Sequence, residues 1–232
     1  KILNRGFHTI NTKYNVLFNG KEALEVGKAI LEQGHSDNFF QFLDVEPIAI
    51  NGEKMEETSV VPGFTRAEEK AVKAIQKHSM NINGIQRNTK IDEAYLLLGK
   101  ARYFDRRFFP AMEAFNFLLE NYADKNTYIE GRIWREKTNI RLKNDQLAIK
   151  NLRALALKIT PNSRFHSMAN ATISQAFLNT QQLDSASFFI KRAALTAKND
   201  KDKGRYYFMT GQLFESLNKL DSAKWAYEKV IG

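Results

Sequence analysis

The side chains that most often carry chemistry are scarce in this sequence of 232 residues and are not grouped as a reactive site requires. Cysteine is absent, which excludes disulfides, thiolate metal sites and cysteine nucleophiles. The 4 histidines, His8, His35, His78 and His166, include no pair at the spacing of three or four residues that places two ligands on one face of a helix. We therefore expect no metal site and no cofactor.

Carboxylates and loop motifs give no better support for catalysis. The neighbouring pairs Glu56–Glu57 and Asp92–Glu93 fit solvated charges or the start of a helix better than an acid–base couple. The sequence contains no glycine-rich phosphate loop and no Gly-x-Ser-x-Gly nucleophile motif. These observations predict a protein that is not an enzyme.

The composition is that of a basic, globular chain. Hydrophobic residues make up 43%, and the formal net charge is +9, which favours acidic or phosphate-bearing partners. The charge is uneven, because residues 1–62 carry 6 basic and 9 acidic residues, whereas residues 63–232 carry 29 and 17, a net of +12. No apolar run approaches the roughly 18 residues needed to cross a bilayer.

Alanines mark an internal repeat. Ala111, Ala148, Ala186 and Ala223 are each followed four positions later by an aromatic or aliphatic residue, and the intervals between them are 37, 38 and 37 residues. A period of roughly 20 to 50 residues is typical of stacked supersecondary units. The chain is therefore expected to be a stack of helical hairpins.

Two segments identify the type of repeat. "AYLLLGKARYFDRRFFPAMEAF" and "YYFMTGQLFESLNKLDSAKWAY" fit the tetratricopeptide (TPR) pattern Trp-x2-Leu-Gly-x2-Tyr followed by Ala-x3-Phe, with Gly99 and Gly211 at the small position where two helices cross. In the repeat around Ala148, Arg135 and Glu136 stand where Leu and Gly are expected, so its register stays open. The predicted fold class is an all-α TPR solenoid with an irregular insertion near the N-terminus.

The predicted organisation has four parts. Residues 1–35 form a helical hairpin that turns at Asn19–Gly20, with Ala23, Val26, Ala29 and Ile30 on the buried face of its second helix. Residues 36–64 are an irregular or extended insertion, and residues 65–90 are a bracing helix, capped by Thr65, and a linker. Residues 91–232 hold about four repeats (91–125, 126–160, 161–200 and 201–232), expected to be cut from a longer solenoid.

The first helices of TPR pairs usually line a binding groove, so their outward residues are the candidate site. Cations and amides dominate that face, which suits an acidic or extended peptide. The predicted groove residues are Lys100, Tyr103, Lys137, Arg141, Gln175, Asn179, Arg205 and Gln212.

The N-terminal half carries a family resemblance. "FHTINTKYNVLFNGKEAL", then "KHSM", then "IDEAYLLLGKARYFDRRFFPAMEAF" resembles the PorW/SprE family, the TPR lipoproteins of the type IX secretion and gliding-motility system of Bacteroidetes, over residues 1–125. Its most specific part comprises Asn4, Arg5, His8, Thr12, Tyr14, Asn15, Phe18, Asn19 and Gly20.

The resemblance implies a non-enzymatic scaffold in the periplasm that links the outer-membrane translocon to the other components of the machinery, including its periplasmic ring. It also implies attachment to the outer membrane through a lipidated cysteine. Since this chain has no cysteine, that anchor is expected to precede Lys1.

Two other functions were weighed from the residues. A general peptide-binding TPR module that recognises acidic or extended peptides is the alternative to the secretion scaffold. The net charge of +12 over residues 63–232 suggests a nucleic-acid binder. However, the groove residues do not repeat as the regular base-reading pairs of RNA-binding helical repeats do, so no nucleic acid is expected as a partner.

Overall fold

The structure, a computed structural model, describes residues 16–48, 61–83, 85–161 and 163–231. These residues contain one hairpin of two short strands, β1 (Asn81–Ile82) and β2 (Ile85–Gln86), paired antiparallel. They also form ten helices: α1 (Phe18–Gln33), α2 (Pro62–His78), α3 (Ile91–Phe104), α4 (Phe108–Asn121), α5 (Lys125–Arg141), α6 (Asp145–Ala156), α7 (Arg164–Asn179), α8 (Leu183–Thr196), α9 (Asp200–Ser216) and α10 (Leu220–Ile231). None of the helices in these ranges has the length and apolar character of a membrane span.

The chain divides into two compact units. The first comprises residues 1–35 and 48–138, and the second comprises residues 36–47 and 139–232. Within each unit consecutive helices pack against one another, α1 to α4 in the first and α6 to α10 in the second. This arrangement of packed helix pairs is that of an α-solenoid, so the predicted all-helical class is confirmed.

The four second helices share one register. α4, α6, α8 and α10 begin at Phe108, Asp145, Leu183 and Leu220, three residues before the four buried alanines of the repeat. Each is preceded by a non-glycine residue of left-handed backbone, and these residues, Arg106, Lys143, Gln181 and Asn218, have φ between 55 and 65°. Because Lys143 keeps the same spacing, the turn fixes the register of the repeat around Ala148, which the sequence left open.

Close helix crossings explain the glycines of the motif. A Cβ on Gly99 would overlap the ring of Phe115, and one on Gly211 would overlap the ring of Tyr227. Ser174 stands at the equivalent position of the third pair, where its hydroxyl donates to the carbonyl of Ala186 at 2.8 Å. The small residue therefore lets the first helix of each of these pairs approach the second closely.

The expected turn at Asn19–Gly20 is wrong, because α1 continues through both residues. A Cβ on Gly20 would lie 2.7 Å from Cδ2 of Leu97, so this glycine serves close helix packing instead of a turn. The predicted face is also wrong in part: Ala23 is buried, but Ala29 and the larger side chains Val26 (57% exposed) and Ile30 (47%) point to solvent. The buried stripe consists of Gly20, Ala23, Leu24 and Gly27.

The bracing helix α2 begins three residues before the predicted cap Thr65. Pro62 occupies its first position, where the missing N–H needs no helical partner. Its Glu68 carboxylate accepts from Nε of Arg102 at 2.8 Å and pairs with Arg107, which also binds Asp105 at 2.7 Å. Burial alone would raise the pKa of Glu68, but the hydrogen bonds from Arg107 and Arg102 outweigh it and lower that pKa. The four side chains tie α2 to the turn between α3 and α4.

Candidate functional site

Half of the predicted groove residues meet in the second unit, where they surround an extended piece of the same chain. We call residues 36–47 the inserted segment, and Arg141, Gln175, Arg205 and Gln212 the groove residues. Gln175 on α7 and Gln212 on α9 are 37 residues apart, so they occupy one position in successive repeats. The repeat thereby places two identical amide side chains beside the stretch from Leu43 to Val45 of the inserted segment.

The two glutamines bind the main chain of the inserted segment. Gln212 accepts from the N–H of Leu43 at 3.1 Å, and Gln175 accepts from the N–H of Val45 at 2.7 Å. The Nε2 of Gln212 donates to the carbonyls of Phe39 (3.1 Å) and Gln41 (2.6 Å). A primary amide offers both a donor and an acceptor, as the edge of a β-sheet does, and so binds extended backbone without reading its side chains.

The arginines bind the acidic side chains of the same segment. Arg205 makes a bidentate contact to the Asp37 carboxylate at 2.7 and 2.8 Å and donates from Nε to the carbonyl of Asp44 at 2.8 Å. Arg141 donates to Glu46 at 2.9 Å. The inserted segment carries three acidic residues and no basic one. Charge-assisted contacts at both ends therefore fix its register along the groove.

From Leu43 to Glu46 of the inserted segment, apolar side chains alternate with polar ones. Leu43 (5% exposed) and Val45 (8%) are buried, whereas Asp44 between them faces outward and accepts from Nε2 of Gln175 at 2.8 Å. Phe39 packs edge-on against Phe208 of α9, with ring centroids 5.3 Å apart. This period of two is that of a β-strand with one buried face.

Asn179, also predicted as a groove residue, supports the site without contacting the inserted segment. Its Oδ1 accepts from Gln175 at 3.0 Å, and its Nδ2 donates to Asp145 at 2.7 Å. These bonds fix the orientation of the Gln175 amide.

The three predicted groove residues of the first unit lie in other environments. Tyr103 is buried (1% exposed) among Phe104, Phe108 and Trp134, so its assignment to the groove is wrong. It lies near the end of α3, where the chain turns into α4, and its ring fills that corner. Lys100 forms an ion pair with Glu130 and lies over the ring of Trp134, and Lys137 lies over the same ring at 4.3 Å. Burial lowers the pKa of Lys100, against the opposing charge of Glu130.

Most of the N-terminal motif lies outside the described residues: Asn4, Arg5, His8, Thr12, Tyr14 and Asn15. Of the remainder, Phe18 is half exposed at the start of α1. Gly20 has no side chain, which lets α1 pack closely against α2 and α3. Of the described part of the motif, Gly20 therefore contributes to helix packing.

The sequence reasoning missed the partner of the groove. Asp37, Asp44 and Glu46 lie in the stretch predicted to be an irregular or extended insertion, and they complete the site. Two signals were present: the acidic residues stand without a nearby base, and Leu43 and Val45 alternate with polar residues. Both features are typical of an extended strand that pairs with a basic surface.

The described residues contain no cluster of three or more His, Asp or Glu side chains that could hold a metal ion. His166 contacts Asn170 and Thr196, and burial together with the charge of Arg192 lowers its pKa. The arrangement around the inserted segment can bind a polypeptide through its backbone and its carboxylates.

Comparison with known proteins gives a likeness of fold. No family model and no curated protein matches the sequence. A solved structure described as "MamA RS-1 ArsTM double mutant" superimposes with a TM-score of 0.53 at 13% identity, covering 92% of this chain and 93% of that one. This likeness extends over nearly the whole chain and concerns the helical architecture alone.

Proposed function

We propose that the helix pairs are TPR repeats and that the chain is a non-catalytic scaffold whose second unit binds extended, acidic polypeptide. The observation that carries the proposal is the inserted segment, held by two repeat-related glutamines through its main chain and by Arg205 and Arg141 through its carboxylates. The same surface binds a second polypeptide of this kind when the inserted segment is displaced.

A peptide-binding assay tests this proposal. The receptor is the chain in which residues 36–47 are replaced by a glycine–serine linker of equal length, and the ligand is a labelled peptide of residues 36–47, followed by fluorescence anisotropy. We expect saturable binding with a dissociation constant of about 1–100 μM. Changing Asp37 and Glu46 of the peptide to Asn and Gln should weaken it about tenfold or more, because hydrogen bonds between charged groups are worth ~1.5–3 kcal/mol each.

Two controls make the result specific. The variant Arg205→Gln in the same receptor should lose affinity, whereas Arg153→Gln, a change on α6 at a residue outside the groove, should not. If the neutral peptide binds as well as the acidic one, or if no peptide binds, the proposed function is refuted.

The cellular setting of the proposal is the type IX secretion and gliding-motility machinery, as a periplasmic scaffold anchored to the outer membrane. Its support is the similarity of residues 1–125 to the PorW/SprE family. Cross-linking in a Bacteroidetes envelope followed by affinity purification should recover components of the translocon or of the periplasmic ring. Recovery of none of them, from cells that secrete normally, would contradict this assignment while leaving the peptide-binding activity standing.

A further inference from the structure

The inserted segment also forms one wall of a second concave surface, beside Gln212. Phe39, Phe40 and Phe42 lie opposite Tyr227 of α10 and enclose a pocket of ≈ 530 Å³, whose other lining residues are Gln41, Gln212, Glu215 and Ser216. Phe40 is fully exposed, Phe39 is 60% exposed and Phe42 is 39% exposed. A cluster of solvent-exposed aromatic rings surrounded by polar groups is typical of an interaction site.

Two rings of this aromatic pocket, those of Phe39 and Tyr227, are held by packing on Phe208. Phe39 packs on Phe208, and Phe208 packs on Tyr227 with ring centroids 5.5 Å apart. The backbone that carries them is fixed by Gln212, and Asn38 accepts from the N–H of Phe40 at 3.1 Å. These two rings and the backbone of the segment therefore need little reorganisation when a ligand binds, which lowers the entropic cost of binding.

The charge in the pocket is a single carboxylate. Glu215 is the one ionisable acid among the lining residues, and these include no lysine, arginine or histidine. Its Oε2 accepts from the hydroxyl of Tyr227 at 2.8 Å, and no cation of the described residues pairs with it. Burial, together with the Glu215 hydrogen bond and charge, raises the pKa of Tyr227 to about 12, so the hydroxyl stays protonated and donating at neutral pH.

We propose that this aromatic pocket binds the side chain of an arginine or lysine from a partner protein. The faces of Phe and Tyr rings attract cations, and a carboxylate at the wall supplies the opposite charge. An apolar side chain would contact the rings but would cover the Glu215 carboxylate without pairing it, and an acidic side chain would be repelled. The complementarity therefore selects a cation.

The pocket goes beyond the proposed function, because it depends on the inserted segment being docked and not on a second peptide entering the groove. The groove residues bind acidic polypeptide, whereas the docked segment presents a site of opposite preference. A partner that bears a basic side chain would thus recognise the chain in the state in which its groove is filled.

The test uses the intact chain and blocked tripeptides as probes: acetyl-Gly-Arg-Gly-amide, its lysine analogue and the apolar norleucine analogue. Titrations are followed by NMR at the amides of Phe40, Phe42 and Tyr227. We expect saturable millimolar binding of the two cationic probes and binding of the norleucine probe at least threefold weaker. A norleucine probe that binds as tightly, or cationic probes that do not saturate, would overturn the proposal.

Variants separate the pocket from general charge effects. Glu215→Gln keeps an acceptor for the Tyr227 hydroxyl but removes the charge, and it should weaken the arginine probe at least threefold. Glu228→Gln removes an exposed carboxylate of the same helix as Tyr227 outside the pocket, and it should leave the affinity unchanged. Equal affinities in the two variants would refute the role of Glu215.

A second variant and a docking readout complete the test. Phe40→Ser changes a fully exposed ring, so the fold should tolerate it, and it should also weaken the arginine probe. In each variant, protection of the Leu43 and Val45 amides from hydrogen exchange reports that the inserted segment is still docked. Unaltered affinity in Phe40→Ser with the segment docked would refute the aromatic part of the site, whatever the outcome of the peptide assay on the groove.

Discussion

Gly204 and Gly211 lie on the same helix, α9, and offer a matched test of the close helix crossing. Alanine at either position adds one methyl group to one helix. At Gly204 no atom lies within 4 Å of the added Cβ, whereas at Gly211 it would lie 2.6 Å from Cδ1 and 2.7 Å from Cζ of Tyr227. The two substitutions therefore share their effect on helix propensity and differ in packing.

The magnitudes follow from these distances. Replacing Gly by Ala inside a helix favours folding by ~0.5–1 kcal/mol, so Gly204→Ala should raise the free energy of unfolding by about that amount. Overpacking a methyl into a filled crossing costs ~1–3 kcal/mol. Gly211→Ala should therefore range from nearly neutral to a destabilisation of ~2 kcal/mol, and the two variants should differ by ~1–3 kcal/mol.

Urea unfolding followed by far-UV circular dichroism, with hydrogen exchange on α9 and α10, measures this difference. A background of Tyr227→Ile imitates the third pair, where Ser174 and Ile190 stand at the equivalent positions. In that background the cost of Gly211→Ala should vanish, because the ring that the methyl strikes is gone. If Gly211→Ala stabilises the wild-type chain as much as Gly204→Ala does, the packing explanation of the motif glycine is refuted.

Three further outcomes are expected. Glu68→Gln should lower the free energy of unfolding at pH 7 by ~2 kcal/mol. The folded-state pKa of Glu68 is lowered, so its carboxylate stabilises the fold until it is protonated. In acid unfolding, the difference from wild type should therefore shrink as the pH falls below 4.5. Ser163→Ala removes the acceptor for the N–H of Phe165 at the start of α7 and should lower the free energy of unfolding in urea by ~1 kcal/mol. An unchanged free energy of unfolding would count against a capping role. Arg205→Gln should speed hydrogen exchange at the Leu43 and Val45 amides at least tenfold while leaving those of α7 unchanged; equal protection would mean that its contacts to Asp37 and Asp44 do not hold the inserted segment.

The sequence predicted the repeat well because its period is a local property. The alanines, the small residues at the crossings and the turn positions recur every 37 or 38 residues, and each depends on neighbours within one hairpin. Even the atypical repeat with Glu136 keeps the register of the other repeats, because the left-handed turn at Lys143 depends only on the chain between two helices.

The same reasoning failed where size and hydrophobicity were taken as a guide to burial. On α1 the large residues Val26 and Ile30 are exposed, since the helix packs closely through Gly20 and Gly27. The helical position of Tyr103 predicts a groove residue, but near the end of α3 its side chain lies in the core. Burial at these places depends on which helix is adjacent, and spacing alone does not specify the neighbour.

The inserted segment could not be placed from spacing at all. Its hydrogen bonds to the helices join residues 95 to 173 positions apart, such as Val45 with Gln175 and Leu43 with Gln212. Such a contact forms only when its favourable free energy exceeds the entropic cost of closing a long loop. A local sequence pattern does not contain this information. Its composition, acidic and alternating opposite a basic repeat, was the available signal.

One repeat position makes different contacts in the two units. Lys100, Lys137, Gln175 and Gln212 follow one another at intervals of 37, 38 and 37 residues. In the first unit the two lysines lie over Trp134, and one is paired with Glu130, so this position is taken up by internal contacts. In the second unit the glutamines reach backbone N–H and carbonyl groups instead. The packing residues of the repeat recur in both units, so the different contacts at this position follow from the side chain that occupies it.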